Sequence, residues 1–116
     1  MELNTVLKKV TIAMNLRNED VREIFHLGGE ELSTSQTGAL LVNPSNKNFK
    51  LLSEERLEVF FNGLILYSRG PKENPNAMPM ALINLIYLLG EKGQLEALES
   101  LRELTSDVLA QVEEQL

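Results

Sequence analysis

Residues 24–41, IFHLGGEELSTSQTGALL, decide how this chain folds. Apolar residues end one helix there, and Gly28 and Gly29 supply the residue type that helix C-termini use to reach positive φ. Ser33 and Gln36 then form a capping box, which opens a second helix. Two helices joined by such a turn outline a helix-turn-helix corner. This corner either presents a helix to DNA or only folds the chain back on itself.

Helical spacing of apolar residues continues on both sides of this corner. Upstream, a first helix leaves Asn4 outside its apolar stripe, and Asn18 is the expected N-cap of a second helix. Downstream, Ser53 caps a fourth helix, in which Gly63 is a candidate for a close contact between helices. The sequence has no period-2 segment typical of a strand. We therefore expect an all-α fold, with a helix-turn-helix-like four-helix N-terminal unit and two further C-terminal helices.

Proline-rich residues 70–79, GPKENPNAMP, divide the chain. We expect a single helical domain in which residues 1–70 form the N-terminal unit, 71–77 a linker and 78–116 a C-terminal helical hairpin. The first hairpin helix, MALINLIYLLG, is apolar nearly all round, which predicts a central position. It is too short to span about 30 Å of bilayer hydrocarbon, and no secretory signal pattern occurs. The sequence thus favours a cytoplasmic protein without a membrane partner.

Composition narrows the classes of function. The chain of 116 residues contains no cysteine, which excludes disulfides, thiolate metal sites and a cysteine nucleophile. Its formal net charge of −6 argues against broad binding to phosphate backbones, because such binding requires clustered Lys and Arg. Residues 1–70 are nearly balanced, with eight Lys and Arg against nine Asp and Glu. A small basic face on the N-terminal unit therefore stays open as a hypothesis.

The N-terminal unit carries several unusual pieces in one order: LKK at 7–9, the N-L-x-x-x-D turn at 15–20, IFHLGG at 24–29, KNF at 47–49 and FFNGLI at 60–65. In these pieces it resembles the YehS-like family of uncharacterised bacterial proteins. Members of that family typically carry the unit twice in tandem, whereas this chain has one copy. The resemblance implies a small helical unit with a pairing surface. It implies no activity, cofactor or catalytic residue.

Catalysis and metal binding have little support in the sequence. His26 is the only histidine, and its place in the last turn of a helix is typical of a surface residue that complements the helix dipole. Glu23 and His26 match the Glu-x-x-His spacing of di-metal helical bundles, but such sites require this pair from two helices. We expect no enzyme activity, no cofactor and no metal.

DNA binding is the weaker of two functional hypotheses. The helix Ser33–Val42 would present polar side chains to base edges, and lysines around it would contact phosphates. Against this, Glu30 and Glu31 lie in the turn itself, and the helix carries no Lys or Arg. The capping box alone explains Ser33 and Gln36. The candidate nucleic-acid or partner contacts are Lys8, Lys9, Arg17, Ser35, Gln36, Lys47 and Lys50.

Protein–protein interaction is the leading hypothesis. Apolar residues of the last helix recur near heptad spacing, with acidic residues on the other side. The most common explanation of such a stripe is packing on the N-terminal unit, and a helix-to-helix dimer seam is the second. A single-copy chain would recreate the pair of its tandem relatives as a symmetric homodimer. We therefore expect a non-enzymatic bacterial interaction or regulatory module that binds itself or another protein. The candidate dimer seam consists of Leu98, Leu101, Val108 and Val112.

Overall fold

The computed structural model describes residues 1–75 and 78–116. Within these residues it is all-helical and has no strand, which confirms the expected fold class. The helices are α1 Leu3–Ala13, α2 Asn18–Leu27, α3 Thr34–Leu41, α4 Glu54–Arg69, α5 Met80–Glu91 and α6 Leu95–Gln115. The helix-turn-helix-like description of the first four helices remains a prediction.

The backbone divides within α5 into two units, Met1–Asn84 and Leu85–Leu116. The first unit contains α1 to α4 and the beginning of α5, and the second contains the rest of α5 and α6. The linker predicted for residues 71–77 stays a prediction, and its last two positions lie outside the described residues.

The first unit is organised around α2, which packs against both α4 and α3, while α1 packs against α3 and α4. Phe25 of α2 and Phe60 of α4 are fully buried, and their ring centroids lie 5.4 Å apart at an interplanar angle of 55°. This tilted arrangement suits the quadrupoles of two aromatic rings. The other buried apolar residues are Leu7, Val21, Ile24, Leu32, Leu40, Leu52 and Tyr67.

Two glycines allow the backbones of α2 and α4 to touch. A Cβ atom at Gly63 would lie 1.8 Å from the carbonyl oxygen of Ile24, and one at Gly28 would lie 2.0 Å from that of Val59. The close contact expected at Gly63 is therefore confirmed. Gly28 does not supply the positive φ of the helix end, which falls on Gly29 at +105°. Gly28 is needed instead for the approach of α4.

A buried asparagine ties α1 to the end of α3 and to the segment before α4. The Nδ2 group of Asn4 donates to the carbonyl oxygens of Leu40 at 3.0 Å and Lys50 at 2.8 Å. Its Oδ1 atom accepts from the backbone N–H of Leu52 at 2.8 Å. The sequence placed Asn4 outside the apolar stripe, which was wrong. It lies on the buried face of α1 with Leu7 and Thr11, because its amide satisfies backbone groups of the core.

Two further expectations, about the N-cap of α2 and the burial of α5, were wrong. The N-cap of α2 is Arg17, and Asn18 is the first helical residue, because the Asp20 carboxylate accepts the Arg17 backbone N–H at 2.8 Å and completes the helix start one residue earlier. Helix α5 is not surrounded by other side chains, since Tyr87 is 66% exposed and Leu85 46% exposed. In the unit Leu85–Leu116, α6 is the only other helix, so it can cover at most part of the α5 surface.

We predict that Gly63→Ala destabilises the first unit by about 3 kcal/mol, because the added methyl group overlaps backbone atoms that cannot move independently of α2. The matched control is Gly38→Ala in α3, where the new methyl group would meet only Asn18 Nδ2 at an ordinary 3.6 Å. That variant should gain up to about 1 kcal/mol from helix propensity. Urea unfolding followed by circular dichroism measures both, and equal stability of the two variants would contradict the close contact.

Candidate interaction surfaces

A surface depression lies beside α3, and its position follows from two local features. Ser33 Oγ accepts the Gln36 backbone N–H at 3.0 Å, and Gln36 Oε1 accepts the Ser33 backbone N–H at 2.8 Å, so the predicted capping box is confirmed. The backbone N–H of Lys50 donates to the carbonyl oxygen of Ala39 at 2.9 Å, which fastens the following loop against α3. The depression between helix and loop is lined by Ser35, Gln36, Gly38, Ala39, Val42, Asn48 and Lys50.

The structure brings three of the seven predicted contact residues, Ser35, Gln36 and Lys50, to this depression. The other four do not line it. Lys8 is half-buried and Lys9 exposed on α1, and Lys47 is exposed in the loop after α3. Arg17 forms ion pairs with Glu19 and Asp20, each at 3.3 Å, so these acids offset its charge locally.

The two glutamates of the turn face other helices. Glu30 Oε1 accepts a charge-assisted hydrogen bond from Arg56 Nε of α4 at 2.7 Å, in a half-buried position. Glu31 contacts the Nδ1 atom of His26 on α2. Neither glutamate lines the depression beside α3. Their negative charges therefore repel DNA phosphates at that depression less than their position in the sequence suggests.

His26 lies at a second surface depression, lined by Glu19, Arg22, Glu23, His26 and Glu31. Its side chain is more than half exposed. Arg22 Nε donates to the carbonyl oxygen of Leu32 at 2.9 Å and so braces the turn that carries Glu31. In the part of the chain that the structure describes, no group of three or more His, Asp or Glu side chains is arranged to hold a metal ion. These residues suit a solvated, charged helix face.

A buried polar pair that the sequence did not predict joins α4 to the first turns of α5. Tyr67 and Asn84 are both buried. Burial raises the pKa of the Tyr67 hydroxyl. The Nδ2 atom of Asn84 has no hydrogen-bond partner among the described residues. The only sign of this buried pair in the sequence was a single asparagine, Asn84, within the otherwise apolar helix α5. The pair belongs to the structure of the first unit and faces no depression described above.

Helix α6 exposes several large apolar side chains. None of its 21 residues is buried. The exposed fractions are 60% for Leu104, 49% for Val108, 58% for Leu109 and 48% for Val112. Leu98 and Leu101, the other two residues of the predicted seam, are half-buried.

Charge is segregated around α6. When Leu98 is assigned to heptad position a, the four predicted seam residues take positions a and d. All six carboxylates then take the outer positions b, c and f: Glu96, Glu99, Glu103, Asp107, Glu113 and Glu114. We call the remaining surface, positions a, d, e and g, the α6 apolar face. Its only charged residue is Arg102, and it includes Leu104 and Leu109, which the predicted seam left out.

Comparison with known proteins places the chain among proteins without an assigned role. The model of a family described as "Protein of unknown function (DUF1456)" matches residues 4–70, the part of the chain that carries the resemblance. The YehS-like name is a finer statement and stays a prediction. No curated protein and no solved structure matches the chain. Among the described residues, no helix has the length and apolar character to cross a membrane.

Proposed function

The chain belongs to the DUF1456 family of proteins of unknown function, and we propose that it is a non-enzymatic interaction module that associates with itself through the α6 apolar face. One observation carries the proposal: a helix of 21 residues has no buried side chain, although its α6 apolar face carries exposed Leu and Val side chains and no carboxylate. Contiguous exposed apolar patches are rare on monomers and typical of interfaces.

The energetics favour association. Burial of apolar surface is worth about 25 cal/mol per Å². Leu95, Leu104 and Leu109 each expose more than half of their surface, so their burial against a partner would contribute to association. An isolated helix is marginal in water, and most helical stability in proteins comes from packing of an apolar face. A partner that covers α6 would therefore stabilise the helix as well as the complex.

The chemistry near His26 supports a role without catalysis. A general base requires a substrate pocket and a partner that orients it. Among the residues that the structure describes, the only side chain that His26 contacts by hydrogen bond is Glu31 in the turn, and both lie at an open surface depression. The cysteine-free composition is compatible with a reducing bacterial cytoplasm, in which we place the module. A regulatory role would follow if association controls access to the surfaces of the first unit.

Val108→Asp tests the proposal. We expect the wild-type chain to elute as a dimer at micromolar concentration in light scattering, and the variant to be monomeric. Two carboxylates forced into an apolar interface should raise the dimer Kd more than about 100-fold. The matched control is Ile12→Asp, since Ile12 is 78% exposed on α1 and its variant should remain dimeric. A wild-type chain that is monomeric at all accessible concentrations would contradict the proposal.

DNA binding is the second candidate, favoured by one observation: Ser35, Gln36 and Lys50 line one depression that no carboxylate lines. Lys50 would contact a phosphate while Gln36 offers its amide to a base edge. The capping box limits this role, because the Gln36 side-chain oxygen already accepts the Ser33 backbone N–H.

A gel shift with short duplex DNA tests this second candidate. Binding should appear at about 50 mM salt and weaken at about 200 mM, since phosphate contacts release counterions. Lys50→Gln should weaken it, whereas Lys92→Gln, an equal charge change at an exposed position of the second unit, should not. Absence of binding at the lower salt concentration would remove this candidate.

A further inference from the structure

Asn62 and Gly63 of α4 form the only asparagine–glycine pair in the chain. In an unfolded chain, the backbone nitrogen of the glycine in such a pair attacks the side-chain carbonyl carbon, Cγ, of the asparagine. A bond forms between this nitrogen and Cγ, the bond from Cγ to Nδ2 breaks, and the side-chain amide leaves as ammonia with the proton of the backbone N–H. Glycine favours this ring closure, because it has no Cβ to obstruct the nitrogen and leaves the backbone free to rotate.

The succinimide ring that forms is opened by water in one of two ways. Addition of water at Cγ gives aspartate, an ordinary residue with one additional negative charge. Addition at the main-chain carbonyl gives isoaspartate, in which the main chain runs through Cβ and Cγ and is longer by one carbon atom. Water is the only co-reactant, and no oxidant or reductant takes part.

The helix around this pair closes the reaction in the folded chain. Helix α4 extends over Glu54–Arg69, so both residues lie in its interior. Helical hydrogen bonding pairs the Gly63 N–H with the carbonyl oxygen of Val59, four residues earlier. The helical ψ of Asn62 also holds the Gly63 nitrogen away from Cγ, because the five-membered ring requires a different ψ. Asn62 is exposed, so it is protected by the helix and not by burial.

The contact between α2 and α4 strengthens this protection. Gly63 is buried, and α4 lies so close to the carbonyl oxygen of Ile24 that a Cβ atom at residue 63 would not fit. The helix therefore cannot open at Gly63 without separating from α2. The glycine of the reactive pair is required by this packing. The asparagine is not, since its side chain is exposed and has no hydrogen-bond partner among the described residues.

We propose that Asn62–Gly63 is a site of spontaneous deamidation that the folded first unit keeps closed, and that isoaspartate formed there in the unfolded chain prevents the unit from folding again. The additional carbon atom would lie directly before Gly63. It would displace Gly63 relative to Phe60, and these two residues fix α4 against α2. Aspartate at the exposed position 62 would leave this contact intact. The proposal does not depend on self-association through α6.

Deamidation with and without urea tests the protection. The tryptic peptide 57–69, LEVFFNGLILYSR, contains Asn62 as its only asparagine, and chromatography with mass spectrometry separates its asparagine, aspartate and isoaspartate forms. Without urea the two acidic forms should appear at least about 100-fold more slowly than in urea that unfolds the chain, since only about one chain in 1,000 or fewer is unfolded in native conditions. Asn62→Gln is the matched control, because glutamine would have to close a larger ring. Equal rates with and without urea would overturn the protection.

Variants at two other glycines test the role of the helix contact. Gly28→Ala overlaps the carbonyl group of Val59 and should raise the unfolded fraction, so deamidation at Asn62 without urea should accelerate at least about ten-fold. Gly38→Ala causes no such overlap and should not exceed the wild-type rate. In the wild-type chain, the rate at intermediate urea should follow the unfolded fraction measured by circular dichroism. A rate that does not change across the unfolding transition would contradict the proposal.

Refolding tests the consequence of isoaspartate. Chains held in urea until both acidic forms have accumulated are returned to buffer, and size-exclusion chromatography separates compact from expanded chains. Peptide 57–69 from the compact fraction should contain aspartate and almost no isoaspartate, and the expanded fraction should be enriched in isoaspartate. Asn62→Asp is the control for the change in charge and should fold. Isoaspartate in the compact fraction at the same share as in the whole sample would overturn this part of the proposal.

Discussion

The direct contact between the backbones of α2 and α4 is the constraint on which the first unit depends. Gly63 lets α4 approach the carbonyl oxygen of Ile24, and Gly28 lets α2 approach that of Val59. At this separation Phe25 and Phe60 meet as a tilted pair in the core. The chain leaves the contact through Gly29 at positive φ, so the turn toward α3 begins at the residue next to Gly28, which admits α4.

Hydrogen bonds of Asn4 complete this arrangement at the opposite side of α3. One side chain joins three backbone groups, of Leu40, Lys50 and Leu52, that no helix or sheet would otherwise satisfy there. Each such bond contributes about 1 kcal/mol net, and an unsatisfied buried group costs more than that. The loop beside the α3 depression is therefore held in place by hydrogen bonds to the buried Asn4 side chain and not by contacts within the loop. Lys50 reaches the depression because its backbone is fixed on both sides.

Features that depend on neighbours in sequence were predictable from the sequence alone. The capping box of Ser33 and Gln36 and the helix composition of the chain follow from local rules, and the structure confirms both. The burial of Asn4 was not predictable, because its partners lie 36 to 48 residues away along the chain. The sequence predicted a central position for α5 because the helix is apolar nearly all round. Composition alone does not show whether other elements are present to cover such a helix.

The proposed interaction surface combines residues that the sequence indicated with residues that the structure added. Heptad spacing identified Leu98, Leu101, Val108 and Val112, which depend only on helix geometry. Leu104, Leu109 and Arg102 lie beside that seam and stood out once the carboxylates were assigned to outer positions and the exposure of α6 was known. How the seven candidate contacts of the first unit divide among different surfaces also required the fold, since a loop brings Lys50 to α3 but leaves Lys47 away from the depression.

We propose that the core of the first unit provides stability and that α6 provides association. Hydrogen–deuterium exchange at two protein concentrations tests this division most directly. Backbone amides of α2 and α4 should exchange slowly at both concentrations, because the core that protects them lies within one chain. Amides of α6 should exchange quickly in the dilute sample and slowly in the concentrated one, where a second copy covers the α6 apolar face. Exchange in α6 that is equally fast at both concentrations, or protection of α2 and α4 that disappears on dilution, would contradict the account.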